Sequence, residues 1–276
     1  MLTLESVTYR YAGAPRPSLH DVSLELHSGE VLGLIGASEA GKTTLCLVAS
    51  GLAPRTMGGT LTGRVLVDGE DTAPLAMHEL AGRIGIAFAS PATQLSGVAA
   101  TVYEEVAFGP MNLGVPRSEL IARTEEALTA LRIESLADRD PALLSGGQQQ
   151  LVAIAGLLAL RPAHLVLDEP TAQLDPAGTA MVAAALAGLA AGGASILVAE
   201  QKTDLLLGIC SRVLVIDSGR AVLDGPAAEI LTGPQLADLG VAPPAAIRLR
   251  RAAVNASLPA ATLARLDEAI AHAMPQ

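Results

Sequence analysis

The sequence predicts an α/β fold: a mostly parallel sheet covered on both faces, an N-terminal antiparallel β-subdomain and a helical subdomain inserted at about 95–160. Three observations predict it. Short continuous apolar runs recur between helix-length segments, as expected of parallel strands buried on both faces. The N-terminal stretches 2–9, 22–26 and 64–67 alternate more and have turn-like connections, as in an antiparallel sheet. Between 101 and 156 there is little strand signal, and 117–131 carries apolar residues at helical spacing.

Taken in order, Val31–Ile35 reads as a buried strand, followed by a Gly-rich turn and a helix from Gly41. Further strands of the same kind lie at 84–88, 165–167, 196–198 and 213–216. Positions 179–199 carry no charge, a length that could span a bilayer. Much of the run is Ala, however, and Gly192-Gly193 splits it. A helix over Pro176–Ala191, a Gly-Gly turn and a buried strand over Ser195–Ala199 fit better. From about 237 the pattern weakens, Pro243-Pro244 breaks the chain, and a short amphipathic helix follows at 261–273. The domain reading is therefore a main domain over 1–235 and a C-terminal extension over 236–276.

Composition bounds the function. The 276 residues are half hydrophobic but only 2% aromatic, so a sizeable core must be built from Ala, Leu, Val and Ile. A net charge of -10 argues against broad electrostatic binding of nucleic acid, although Arg248, Arg250 and Arg251 form a local basic cluster. Cys46 and Cys210 offer neither a disulfide framework nor metal spacing and read as core filler. The opening Met-Leu-Thr-Leu-Glu has no basic region and no long apolar run, which argues against a secretory signal.

Three motifs carry the chemistry. Gly36-Ala-Ser-Glu-Ala-Gly-Lys-Thr43 follows a predicted strand and opens a helix, the context of a phosphate loop. Backbone N–H groups from Gly36, Ala37, Ser38, Glu39, Ala40, Gly41 and onward to Thr44 would cradle phosphates. Lys42 would reach the β- and γ-phosphates, and the Thr43 hydroxyl would ligate Mg²⁺. Leu165-Val-Leu-Asp-Glu-Pro-Thr-Ala-Gln-Leu-Asp175 is an apolar strand ending in two adjacent carboxylates. Asp168 would hold the metal through water and Glu169 would polarise the attacking water. The alternative for this pair is a helix N-cap. Leu144-Ser-Gly-Gly-Gln148 offers a small hydroxyl and two glycines where a helix should begin, suited to close approach of an anion.

Over about 2–231 the chain resembles the ATPase subunits of ABC transporters. The resemblance implies ATP and Mg²⁺ as ligands and a dimer. In that dimer Ser145, Gly146, Gly147 and Gln148 of one subunit close over the γ-phosphate held by the other, and Asp175 lies in the loop linking the two sites. Tyr11 matches the aromatic residue that stacks on adenine; its plain reading is a surface strand tyrosine. A narrower resemblance is to energy-coupling factor ATPases, which drive uptake of vitamins and transition-metal ions. It rests on Pro91-Ala-Thr-Gln94, Thr101-Val-Tyr-Glu-Glu-Val-Ala-Phe-Gly-Pro110, Val152-Ala-Ile-Ala-Gly156 and the tail after Leu231. It implies a second ATPase subunit, a transmembrane coupling protein, a peripheral place on the cytoplasmic face of the membrane, and a tail that helps hold the ATPase pair.

The chain departs from the family pattern at three positions. Ala89 stands where the family has a Gln that senses Mg²⁺ and water, with Gln94 a partial substitute. Gln201 stands where the family has a His contacting the γ-phosphate; an amide donates a hydrogen bond but carries no proton or charge. Glu39 replaces a loop Gly, at a cost on the order of 1 kcal/mol if φ is positive there. These departures lead us to expect a site that binds ATP but hydrolyses it slowly, in an asymmetric heterodimer. A homodimer in which Gln94, Gln201 and Glu169 suffice is the alternative. A soluble ATPase of the same superfamily acting on ribosomes or DNA is the competing function; one ATPase domain, a short insert and a negative charge weigh against it.

Overall fold

The computed structural model describes residues 1–273. The chain begins with β1 (Leu2–Arg10), β2 (Leu19–Leu26), β3 (Val31–Ile35), α1 (Lys42–Ala49) and α2 (Leu52–Arg55). It continues through β4 (Thr60–Val67), β5 (Glu70–Asp71), α3 (Met77–Ala81) and β6 (Ile84–Ala87). The helices α4 (Val102–Asn112), α5 (Arg117–Ala130) and α6 (Gly146–Leu160) form the insert. Then come β7 (His164–Asp168), α7 (Pro176–Ala191), β8 (Ser195–Ala199), α8 (Thr203–Ile209), β9 (Arg212–Asp217) and β10 (Arg220–Pro226). Four helices close the described chain: α9 (Ala227–Thr232), α10 (Gln235–Asp238), α11 (Ala245–Asn255) and α12 (Ala260–Ala273). The last three residues of the expected C-terminal extension lie outside the described residues.

Two sheets result. The first, ordered β2-β1-β4-β5, is antiparallel throughout, as the alternating N-terminal stretches predict. The second is ordered β10-β9-β3-β8-β7-β6 and is parallel from β9 to β6. Side chains of successive strand residues point to opposite faces, and here both faces are covered. Leu32, Leu34, Val166, Leu197 and Leu214 pack on one side with α1 and the antiparallel sheet. Val31, Leu165, Leu167, Ile196, Val198 and Val213 pack on the other with residues of α4 to α9.

The uncharged run 179–199 divides as its glycines indicate: α7, a turn with Gly193 at φ 97°, then β8 buried along its whole length. Among the described residues no helix is long and apolar enough to cross a membrane. Cys46 and Cys210 are buried in separate core clusters. Burial pushes the Cys46 thiol well up and the Cys210 thiol up to about 12, so both act as small apolar side chains. The sequence reading does not anticipate every element, β10 and α11 among them. The antiparallel β10 was not expected, and α11 begins immediately after Pro244, where the prolines read as a break.

Candidate active site

The phosphate loop connects β3 to α1. Gly36 has no room for a side chain: a Cβ there would run into the Ile216 carbonyl oxygen at the end of β9. Gly41 precedes α1 at φ 110°, where a Cβ would also sit 3.0 Å from the Ser18 carbonyl oxygen. Glu39 takes φ 65°, the left-handed conformation that glycine adopts without strain. Lys42 is 6% exposed and its ammonium donates to the carbonyl oxygens of Gly36 and Ala37, each at 2.9 Å. An ammonium has three protons, so one remains for a phosphate oxygen. Buried Ala40 accepts from the Gly219 amide at 2.8 Å, which fastens the loop to the β9–β10 turn.

A cavity of about 620 Å³ opens over this loop, lined in part by Ser38, Glu39, Lys42, Thr43, Glu169 and Gln201. Its positive side is Lys42 with the N-terminal amides of α1, a ready anion site. Tyr11 packs edge-on against Tyr9, ring centroids 4.9 Å apart, and its hydroxyl lies 3.2 Å from the Thr44 hydroxyl. That contact leaves the Tyr11 ring half-buried beside the first turn of α1.

Asp168 ends β7 and is 5% exposed. Its Oδ1 has no hydrogen-bond partner. Burial raises its carboxyl above the usual range; the Thr43 hydroxyl and Lys42 oppose this, while Glu169 and Glu200 add to it. A buried carboxylate with an orphaned oxygen, hydrogen-bonded to a hydroxyl at a helix start, is a fit for a hard cation that takes few protein ligands. Among the described residues no group of three or more His, Cys, Asp or Glu is placed to hold a metal. Neither carboxylate caps a helix: α7 starts beyond them, and its cap is Asp175, which accepts from Gly178 N at 2.7 Å.

Glu169 stands just past the strand at φ 51°, its amide bonded to Ala199 O at 2.8 Å. Its carboxylate accepts from the Gln201 amide nitrogen at 2.6 Å. The strained φ and this bond fix the carboxylate at the edge of the cavity. Gln201 therefore acts on Glu169 itself. Gln94 is elsewhere: its amide folds back onto Phe88 O at 3.1 Å and the side chain lines a separate cavity with Leu95, Glu105 and Phe108. The structure does not bring Gln94 to the phosphate loop. The Ala89 carbonyl accepts from Gln173 at 3.3 Å.

Ser145, Gly146, Gly147 and Gln148 start α6, as the motif predicts, and stand outside the lining of the phosphate cavity. Ser145 and Gln148 cap each other, with Gln148 N donating to Ser145 Oγ and Ser145 N to Gln148 Oε1. The space beside Gly146 is taken by the amide oxygen of the exposed Gln173 side chain, which can swing away.

Sequence reasoning missed the far wall. Arg16, Pro17, Ser18, His20, Ser218 and Gly219 also line the cavity. Gly219, at φ 75°, accepts from His20 N at 2.8 Å while donating to Ala40. These residues carry no motif; tertiary pairing alone brings them together.

The sequence pattern of the family described as ABC transporter matches residues 19–172. The chain belongs to that family. The cobalt import ATP-binding protein CbiO of Rhodobacter capsulatus is 39% identical, covering 99% of this chain and 97% of that protein. The energy-coupling factor transporter ATP-binding protein EcfA1 of Symbiobacterium thermophilum is 40% identical, covering 98% and 96%. The chain spans 44% of the length of a putative ABC transporter ATP-binding protein of Methanosarcina acetivorans, 41% identical. Among solved structures, cbiO1 of Clostridium perfringens, part of an ABC transporter complex, superposes with a TM-score of 0.73 at 32% identity over 85% of this chain and 92% of that one. The cassette MJ0796, a dimer in a post-hydrolysis state with ADP and phosphate, gives 0.72 at 27% identity over 82% and 99%. This chain thus has the fold of its family, with the phosphate loop and Glu169 lining one cavity and Asp168 buried directly before Glu169 at the end of β7.

Proposed function

We propose that this ABC ATPase powers a membrane importer of the energy-coupling factor type, for a vitamin or transition-metal ion. The observation that carries the reading is near full-length similarity to relatives named for cobalt import and energy coupling. Phosphates of ATP lie along the phosphate loop with Lys42 at the β- and γ-positions, and Tyr11 faces the adenine. Thr43 and Asp168 would hold Mg²⁺, which when bound would supply charge neutralisation at the transferred phosphoryl group. Glu169 orients and deprotonates the attacking water, and Gln201 holds that carboxylate.

The orphaned Asp168 oxygen supports the metal assignment. The Gln201–Glu169 bond and the displacement of Gln94 support slow hydrolysis at this chain's own site. Ser145, Gly146 and Gly147 serve the γ-phosphate of a partner ATPase subunit, in a heterodimer docked on a transmembrane coupling protein. The chain is then peripheral, on the cytoplasmic face, with the membrane reached through the partner.

Purification of the tagged chain from its native membrane tests this. A second ATPase and a transmembrane protein should co-purify. A chain that stays entirely soluble beside its natural membrane proteins would sink the importer reading.

A further inference from the structure

Glu200, between the end of β8 and Gln201, is 2% exposed. A buried carboxylate is costly unless its oxygens are satisfied by hydrogen-bond donors. Here both are, and they face two different segments. Oε1 accepts from Thr171 N at 3.0 Å and from the Thr171 hydroxyl at 2.5 Å. Oε2 accepts from Gln201 N at 3.1 Å and Lys202 N at 3.4 Å. Lys202 returns to the same loop: its ammonium donates to Thr171 O at 2.7 Å, Leu174 O at 3.3 Å and the Thr179 hydroxyl at 3.2 Å. Thr171, itself fully buried, is thus gripped at its amide, hydroxyl and carbonyl by residues flanking Gln201.

We propose that Glu200 and Lys202 are positioning residues that lock the 171–174 loop to the Gln201 turn, so that the loop carrying Asp175 and the side chain holding Glu169 move as one body. Neither touches the reacting atoms. Glu200 joins the two segments through its two oxygens, and Lys202 closes the grip from the other side. A shift of Gln201 towards a bound phosphate carries Thr171 to Leu174 with it, and with them the cap of α7 at Asp175. The inference rests on the roles given above to Glu169 and Gln201.

The test uses the purified full chain with protein in excess over ATP, so that a slow site is still measured. Glu200→Gln keeps the shape but turns an N–H₂ towards N–H donors on one side. Single-turnover hydrolysis should fall at least tenfold, ATP affinity should stay within about threefold, and amides at 171 and 201–202 should exchange faster with deuterium. Lys202→Met, at a half-buried side chain, should act in the same direction and carries the test if Glu200→Gln fails to fold. The double variant should be no slower than the slower single one, because both act through one loop. Hydrolysis within twofold of the parent despite faster exchange, a loss confined to ATP affinity, or additive losses in the double variant would overturn the lock. Glu169→Gln run beside them separates the two levels: an active Glu169→Gln counts against the catalytic reading, whereas an inactive Glu169→Gln with a fully active Glu200→Gln counts against the lock alone.

Discussion

Asp168 sits where charge is disfavoured by burial and by Glu169 and Glu200, and favoured by Thr43 and Lys42. The balance lies above the ordinary value of 3.8. The sign follows from linkage: a raised carboxyl binds its proton more readily in the folded chain, so this group favours the fold as pH falls through the raised value and opposes it above. Under the proposed metal role, function runs the other way, because Mg²⁺ and the proton would compete for the same oxygens. Mg²⁺-dependent ATP affinity should therefore weaken on acidification at a higher pH than an ordinary aspartate allows. In Thr43→Ala the hydroxyl favouring the charged form is gone. The onset should move to still higher pH, with Mg-ATP affinity at neutral pH down about tenfold. Calorimetric titration of Mg-ATP into both proteins across the acid range checks this; identical pH profiles would contradict it.

At the scale of elements, the loop after β3 and the helix α7 make opposite predictions for the same substitution. Gly36→Ala drives a methyl into the Ile216 backbone, which cannot rotate away. It should destabilise by about 1–3 kcal/mol and weaken ATP binding at least tenfold, because the loop and β9 must part. Gly188→Ala, exposed in α7 with nothing near its Cβ, should stabilise by about 0.5–1 kcal/mol. Urea unfolding of the two variants, with ATP affinity measured on each, separates them. These elements also show what the sequence could reveal. The strands β3, β7, β8 and β9 were legible because burial on both faces leaves an unbroken apolar run. The strand β10 was not, since it is mostly exposed and pairs only with β9. The helix α11 was hidden because Pro244 stands where a helix can start as readily as a chain can break.

Across the whole molecule, the motifs marked the cavity's near wall, and only the fold supplied the far wall of Arg16, His20 and the Ser218-Gly219 turn. Their spacing in the chain carries no signal of their meeting. The C-terminal extension is tied to the same machinery: the Thr203 hydroxyl donates to Ala242 O and Ala245 N to Asp204, both at 2.9 Å and both just beyond Gln201. The basic cluster expected there is partly spent internally, Arg250 on Asp267 and Arg251 on the carbonyls of Thr232 and Gly233.

The central claim is that this chain's own cavity binds Mg-ATP through Lys42, Thr43 and Asp168 and hydrolyses it slowly through Glu169, because Ala89 and Gln201 replace stronger partners. Single-turnover hydrolysis by the purified chain tests it most directly, measured beside Glu169→Gln and the paired replacement Ala89→Gln with Gln201→His. The prediction is slow hydrolysis by the unaltered chain, none by Glu169→Gln, and a rate raised about tenfold or more in the paired replacement. Hydrolysis by the unaltered chain that matches the paired replacement, or that persists in Glu169→Gln, would contradict it.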